Sequence, residues 1–172
     1  MTIAIIALLA ASFWAGKSSA RATATTLEDT LDQIVGTDES GDEISIPLAG
    51  RRKSLFMFVI SDDCRFCDVN TPRWESLTRR LLRYGDEEPS LLLLSTDPAA
   101  EIRQYIEGTG IEGAQIITVD VDTLRVLGVE GTPTTILVGA ENRGRRAWIG
   151  VLSRLQVFRL LLHAQWAGWR ES

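Results

Sequence analysis

With 172 residues, 45% hydrophobic and 24% charged side chains, the chain has the length and composition of one globular domain with a sizeable core. Its formal charge of −5 and pI near 5.0, with no sustained basic stripe, exclude the phosphate neutralisation on which nucleic-acid binding depends. No internal repeat, low-complexity tract or linker between folded units interrupts it, so one boundary is drawn, between a segment over 1–24 and a domain over 25–172.

Met1–Gly16 carry no charged side chain and include the run Ile3-Ala4-Ile5-Ile6-Ala7-Leu8-Leu9-Ala10-Ala11, which marks a signal peptide or a membrane anchor. A spanning helix takes about 20 apolar residues, a length reached here only if Lys17 snorkels and Ser18–Ala20 join the run. Small residues at Ser18/Ala20 or Ala22/Ala24 equally suit a signal peptidase, so both fates stay open, with membrane attachment through this segment if it is uncleaved. Lys17 and Arg21 follow the run and no basic residue precedes it, which by the positive-inside tendency points to the cytoplasmic side. A cysteine pair behind a leader points instead to an oxidising compartment, and we adopt export, either periplasmic or anchored facing the periplasm.

Thr26–Val35 places Leu27, Leu31, Ile34 and Val35 on one helical face with Gly36 as a stop, which predicts a short leading helix. Thr37–Glu43 reads as a turn and Ile44-Ser45-Ile46 as a strand closed by Pro47 and Gly50, so a small hairpin precedes the core. Leu55–Ile60 is apolar without alternation, the pattern of a central strand covered on both faces. The polar break Ser61-Asp62-Asp63 leads to Cys64-Arg65-Phe66-Cys67, after which Trp74, Leu77 and Leu81 recur at helical spacing as far as Tyr84, with Gly85 as the stop and Pro72 as an internal kink. Arg79, Arg80 and Arg83 fall on the solvated face, and Trp74 is read as a packing residue.

Leu91–Leu94 predicts a second buried strand, and Asp97 as N-cap with Pro98 at the first helical position predicts a helix through Glu107. Ile116–Val119 is a third strand, Thr123–Leu127 a short helix ended by Gly128, and Thr134–Val138 a fourth strand. The turn Glu141–Gly144 leads to a hairpin partner over Arg145–Ile149. Ser153 and Gln156 form a capping box for a last helix to Trp166, whose Phe158, Leu160, Leu161 and Leu162 face the core; Trp148, Trp166 and Trp169 are assigned to packing or interfaces, and His163 to filler. Strands alternating with helices, then a hairpin and a helix, give an α/β mixed sheet.

The two cysteines sit three apart, a spacing that about 1 in 90 random placements would produce. A zinc site needs four ligands, and besides Cys64 and Cys67 the chain offers only His163, far away in an apolar helix. A purely structural disulfide would close a very short loop, where chain entropy stabilises least. A redox-active dithiol needs a thiolate at a helix N-terminus after a buried strand, and the order strand, polar break, Cys64, helix supplies one. No Gly-rich phosphate loop, metal cluster or Ser/His/Asp constellation accompanies it, and no cofactor is expected.

Over Asp42 to Leu162 the chain resembles the thioredoxin-like superfamily and, within it, exported thiol-disulfide oxidoreductases of the TlpA/ResA type. Three features carry the resemblance: Cys64-Arg65-Phe66-Cys67 after a hydrophobic strand, Pro72 at the place of the family's helix-kinking proline, and Gly128-Val129-Glu130-Gly131-Thr132-Pro133-Thr134-Thr135, similar to its cis-proline segment. The stretch from Cys67 to Pro133 is long enough for an additional strand and helix, which favours this branch over a minimal thioredoxin. The resemblance implies a thioredoxin-like mixed sheet flanked by helices, with Cys64 as attacking thiolate and Cys67 as resolving thiol. It further implies that Thr132 and a cis Pro133 present backbone to substrate, with Arg65, Phe66 and Pro72 in support. Arg65 and the helix dipole act to lower the Cys64 pKa, and Asp62 and Asp63 to raise it.

The implied activity is reduction of disulfides in a disulfide- or thiol-containing client protein, with an unidentified redox partner restoring the dithiol. The other reading is a thioredoxin-like accessory or client-binding module with little redox turnover; a copper carrier is disfavoured because no histidine lies near the cis-proline segment. The chain also departs from the family: Asp63 stands where a tryptophan usually precedes the first cysteine, Asn70 where the TlpA/ResA branch carries an acid, and Phe58 where thioredoxins bury one.

Overall fold

Leu55–Val59 (β4) is buried at every residue because it lies in the interior of a sheet covered on both sides. The computed structural model describes residues 22–27, 31–81, 91–140 and 144–168. The other strands are β1 (Thr23–Leu27), β2 (Gln33–Thr37), β3 (Glu43–Pro47), β5 (Leu91–Ser95), β6 (Gln115–Thr118), β7 (Thr134–Val138) and β8 (Arg145–Ile149). They form one eight-stranded sheet in the order β1-β8-β7-β4-β5-β6-β2-β3. β4, β5 and β6 run parallel, and all the remaining pairs are antiparallel. The helices are α1 (Arg65–Leu81), α2 (Ala99–Ile106), α3 (Val121–Val126) and α4 (Arg154–Gly168).

Alternate residues of each strand divide the interior in two. Phe56 and Phe58 point with Leu91, Leu93, Ile116 and Trp148 to the layer that holds α1, α2 and α4, through residues such as Trp74, Ile102 and Leu160. Leu55, Met57 and Val59 join Leu92, Leu94, Ile117 and Ile136 in the opposite layer, closed by Ile34, Ile46 and Leu127. In the first layer the Trp74 and Phe58 rings stack 4.9 Å apart at 13°. The Trp74 indole N–H donates to the buried Thr135 hydroxyl at 2.9 Å, and Thr135 is the register partner of Phe58. One aromatic side chain thereby ties α1 to both β4 and β7.

The central strand, the cysteine-led helix with Pro72 inside it, the strands from β5 to β8 and the capping box appear as the sequence predicts. In that box Gln156 N–H donates to Ser153 Oγ at 3.2 Å, and Ser153 N–H to Gln156 Oε1 at 2.8 Å. The leading helix over Thr26–Val35 is not formed. Of its described residues, Thr26 and Leu27 end β1, Leu31 and Asp32 lie in the connection, and Gln33, Ile34 and Val35 belong to β2, because Ile34 gains a buried cross-strand partner in Ile46 and the β-branched run of threonines and valine suits a pleated surface. Gly36 is therefore no helix stop. A Cβ there would come within 2.5 Å of both Ile117 Cγ2 and the Thr118 carbonyl, so glycine permits the close approach of β2 to β6.

Asp97 does not cap α2, whose preceding residue is Pro98 with no side-chain cap bond; Asp97 is engaged elsewhere. Phe158 and Leu162, expected in the core, stand on the outer side of α4, while Leu160 and Leu161 are buried. The expectations for Arg83, Tyr84, Gly85, Trp166, Trp169 and the tip of the last hairpin concern residues or side chains outside those described.

Trp74→Ala removes the stack and the bond to Thr135, and urea unfolding should show a loss of about 3–5 kcal/mol. Trp74→Phe, which keeps the stack but not the donor, should cost less than half as much.

Candidate active site

The polar break Ser61-Asp62-Asp63 ends β4 and sets Cys64 immediately before α1, in the N-cap position. Cys64 is half-buried and Cys67 has no exposed surface, packed in the layer that holds Phe58 and Trp74. The two are joined in a disulfide with Cα atoms 5.2 Å apart. The Cys67 backbone N–H is shared between the Cys64 carbonyl at 2.8 Å and Cys64 Sγ at 3.1 Å, so the sulfur stands where a side-chain oxygen accepts in an ordinary N-cap. When the disulfide is reduced, the same N–H and the positive end of the helix favour the Cys64 thiolate.

Arg65 and Phe66, between the cysteines, are both exposed, with the Arg65 guanidinium 5.1 Å from the Phe66 ring centroid. Phe66 is 44% exposed and Val69, on the next turn, 59%. The predicted Thr132-Pro133 segment is cis and Pro133 is buried. It directly precedes Thr134, which pairs with Val59, the last residue of β4, so the sheet brings the cysteine loop and the cis-proline segment to one end. The turn is held by Gly150 N–H donating to the Pro133 carbonyl at 2.7 Å and by the Thr134 hydroxyl donating to the Gly131 carbonyl at 2.6 Å. Pro72 lies two turns into α1, exposed and away from the sulfurs.

Three contributors escaped the sequence reading. Asp97 Oδ2 accepts from Asp62 N–H at 3.0 Å and from the Ser95 hydroxyl at 3.2 Å, which ties the end of β5 to the cysteine loop. Its position before a proline is the usual signal of a cap, and only the sheet order reveals the loop across from it. Tyr105, on α2, donates its hydroxyl to Asp68 Oδ1 at 2.7 Å and so secures the first turn of α1 beside Cys67. Val69 adds apolar surface next to Phe66, legible only once the face of α1 that is exposed is known.

Asn70, one turn beyond Cys67, is fully buried, and its Oδ1 accepts from Leu152 N–H at 2.8 Å. It is built into the fold as a neutral anchor for the entry to α4, while its Nδ2 is buried and has no protein partner among the described residues. Phe58 fills the other place where a carboxylate was missing with an aromatic ring. Among the described residues no cluster of three or more His, Cys, Asp or Glu is arranged to hold a metal ion.

Solved structures decide the architecture. A secreted Mycobacterium tuberculosis disulfide oxidoreductase homologous to E. coli DsbE superposes with a TM-score of 0.60 at 12% identity, covering 78% of this chain and 99% of its own. The fold is thioredoxin-like. A thioredoxin-family thiol:disulfide interchange protein from Chlorobium tepidum gives a TM-score of 0.58 at 16% identity over 83% of this chain and 97% of that one. The exposed lipoprotein thioredoxin of Streptococcus pneumoniae gives 0.56 at 14% identity, covering 76% and 98%. Neither a protein-family model nor a curated protein sequence matches the chain. Relative to a minimal thioredoxin-like domain the additional strand and helix lie between α1 and the cis-proline segment, as the sequence length there predicts.

Burial and the bond to Asp68 push the Tyr105 hydroxyl up to about 12. A folded-state pKa raised above the ordinary value of 10 contributes stability that is fully present below pH 10 and lost as pH rises towards 12. Tyr105→Phe should therefore flatten the decline in unfolding free energy between pH 10 and 12, measured by urea titration at each pH.

Proposed function

We propose that the protein is a thiol-disulfide oxidoreductase that reduces disulfides of client proteins, exported to or anchored facing an oxidising compartment. The carrying observation is the N-cap placement of Cys64, half-buried and receiving the Cys67 N–H, above a fully buried Cys67. Asymmetric exposure of this kind separates an attacking sulfur from a resolving one. The thioredoxin-like fold and the thiol-disulfide chemistry named for the structural neighbours support the reading.

In the reduced protein the Cys64 thiolate attacks one sulfur of the client disulfide. A mixed disulfide forms and the other client sulfur leaves as a thiolate that takes a proton. Cys67 then gives up its proton and its thiolate attacks Cys64 Sγ, which closes the Cys64–Cys67 disulfide and releases the second client thiol. Two electrons pass to the client, and a dithiol redox partner, itself oxidised to a disulfide, supplies two more to regenerate the Cys64/Cys67 dithiol. An extended client segment fits beside Thr132, whose backbone the buried Pro133 holds at the cysteine end of the sheet, with Phe66 and Val69 as an apolar rim.

What supports the reducing direction is the light hydrogen bonding of the Cys64 sulfur. Strong oxidants of this chemistry owe their potential to a stabilised reduced form. Here, among the described residues, the hydrogen bond recorded on Cys64 Sγ is the single one from Cys67 N–H. The neutral Asn70 and Phe58 favour the alternative of a client-binding module with little turnover, because neither can take the Cys67 proton.

Two experiments separate the readings. With Cys67→Ser the mixed disulfide cannot resolve internally, so adducts between Cys64 and client proteins should accumulate in cells and disappear when Cys64 is also replaced; client capture that persists without either thiol supports the binding module. The second concerns proton removal from Cys67. Asn70→Asp keeps an acceptor for Leu152 N–H in nearly the same volume, and burial holds its pKa high enough to serve as a base. Stopped-flow decay of the mixed disulfide should accelerate, by less than the ~100-fold typical of a preorganised general base; equal rates for both proteins from pH 6 to 9 would show that another group already does this.

A further inference from the structure

The outer side of α4 carries a surface that thiol exchange does not use. Leu155, Phe158 and Leu162 recur at helical spacing and are 57%, 55% and 37% exposed, although Val157, Leu160 and Leu161 already supply the buried side. Phe158 also lines a groove between α1 and α4 of about 320 Å³, together with Val157, Leu161, Arg73, Arg80 and Arg154. Among the described residues the groove's lining includes three guanidinium groups and no carboxylate. In a chain with a net charge of −5 this is a local reversal of sign. Arg154 moreover occupies the first turn of α4, where the helix dipole opposes a cation, so its charge does not serve the helix.

The route of the chain indicates what covers this face. Ala22 is pinned to the start of α4: its N–H donates to the Val151 carbonyl at 2.9 Å and its carbonyl accepts from Gln156 Nε2 at 2.8 Å. In the sequence only Lys17–Arg21 separate Ala22 from the uncharged apolar run Met1–Gly16. A membrane holding that run uncleaved lies within a few residues of the exposed stripe. Apolar side chains flanked by arginines are the composition of helices that lie in the bilayer interface, where anionic headgroups attract each cation.

We propose that the α4 face is a membrane-docking surface: Leu155, Phe158 and Leu162 enter the interface of an anionic bilayer and Arg80 and Arg154 engage lipid phosphates, so that the anchored domain is held against the membrane. The inference rests on retention of the apolar segment and is independent of the cysteines.

The test uses the full chain reconstituted in vesicles of phosphatidylcholine alone or of phosphatidylcholine with phosphatidylglycerol, with a photoreactive benzophenone amino acid at Phe158 or, separately, at Leu155. Val126, exposed on α3 in the opposite layer, is the control position. Irradiation should yield lipid adducts at 158 and 155 and few at 126, with yields that rise with phosphatidylglycerol. Arg80→Gln and Arg154→Gln should each lower the docking equilibrium constant about fivefold at physiological salt, without changing the rate of client disulfide reduction. Lipid adducts equally frequent at 126, adducts independent of phosphatidylglycerol, or crosslinks from 158 and 155 to protein, whether within the chain or to a second copy, would each overturn the proposal. Loss of disulfide reduction in the unmodified protein would instead strike the proposed activity and leave the docking result standing.

Discussion

The reactive end of the molecule depends on how Cys64 and Cys67 share the first turn of α1. A helix that begins at Arg65 leaves its first N–H groups to be accepted from outside, and the one on Cys67 is shared between the Cys64 carbonyl and Cys64 Sγ. The proposed nucleophile thus sits in the capping position of its own helix. Cys67 is buried because it lies on the face of α1 that packs on the sheet, the face that also carries Asn70 and Trp74, whereas Asp68 and Val69 beside it face solvent. Its surroundings are fixed by the Phe58–Trp74 stack, whose indole reaches Thr135 and thereby couples the cysteine helix to the strand that follows Pro133.

An apolar floor of this kind has a chemical consequence. A thiol in hydrocarbon surroundings resists ionisation, so the floor that holds Cys67 in place also slows its release of a proton. Asn70 does not relieve this. Its carbonyl oxygen is committed to Leu152 N–H, an anchor that positions the entry to α4, and its other polar atom is an amide donor. Structural and chemical demands compete at this residue, and the observed side chain answers the structural one. Asp97 and Tyr105 act differently, from outside the floor, by fixing the loop before Cys64 and the turn after Cys67.

Much of this was legible in the sequence because the relevant signals are local. The unbroken apolar run of β4, the paired cysteines, Pro72, Thr132-Pro133 and the Ser153/Gln156 box each announce their structure within a few residues. What was not legible depends on distant partners. Leu27, Leu31, Ile34 and Val35 match helical spacing as well as any strand pattern, and the choice is made by pairing with β3, β6 and β8. Gly36 reads as a stop until β6 is placed against it. Asp97 is a plausible cap until the cysteine loop, far away in the chain, supplies a better donor. The outward turn of Phe158 and Leu162 was hidden because α4 is apolar on more of its circumference than the core requires.

The central claim is that the Cys64–Cys67 bond is a working redox couple and not a brace. Its reduction potential, obtained by equilibrating the protein with dithiol and glutathione buffers of known poise, tests this directly. A value between about −300 and −200 mV, near the −270 mV or so of thioredoxin, is the result the account predicts. A value well below about −300 mV, with a disulfide that resists physiological dithiols as structural bridges do, would contradict it.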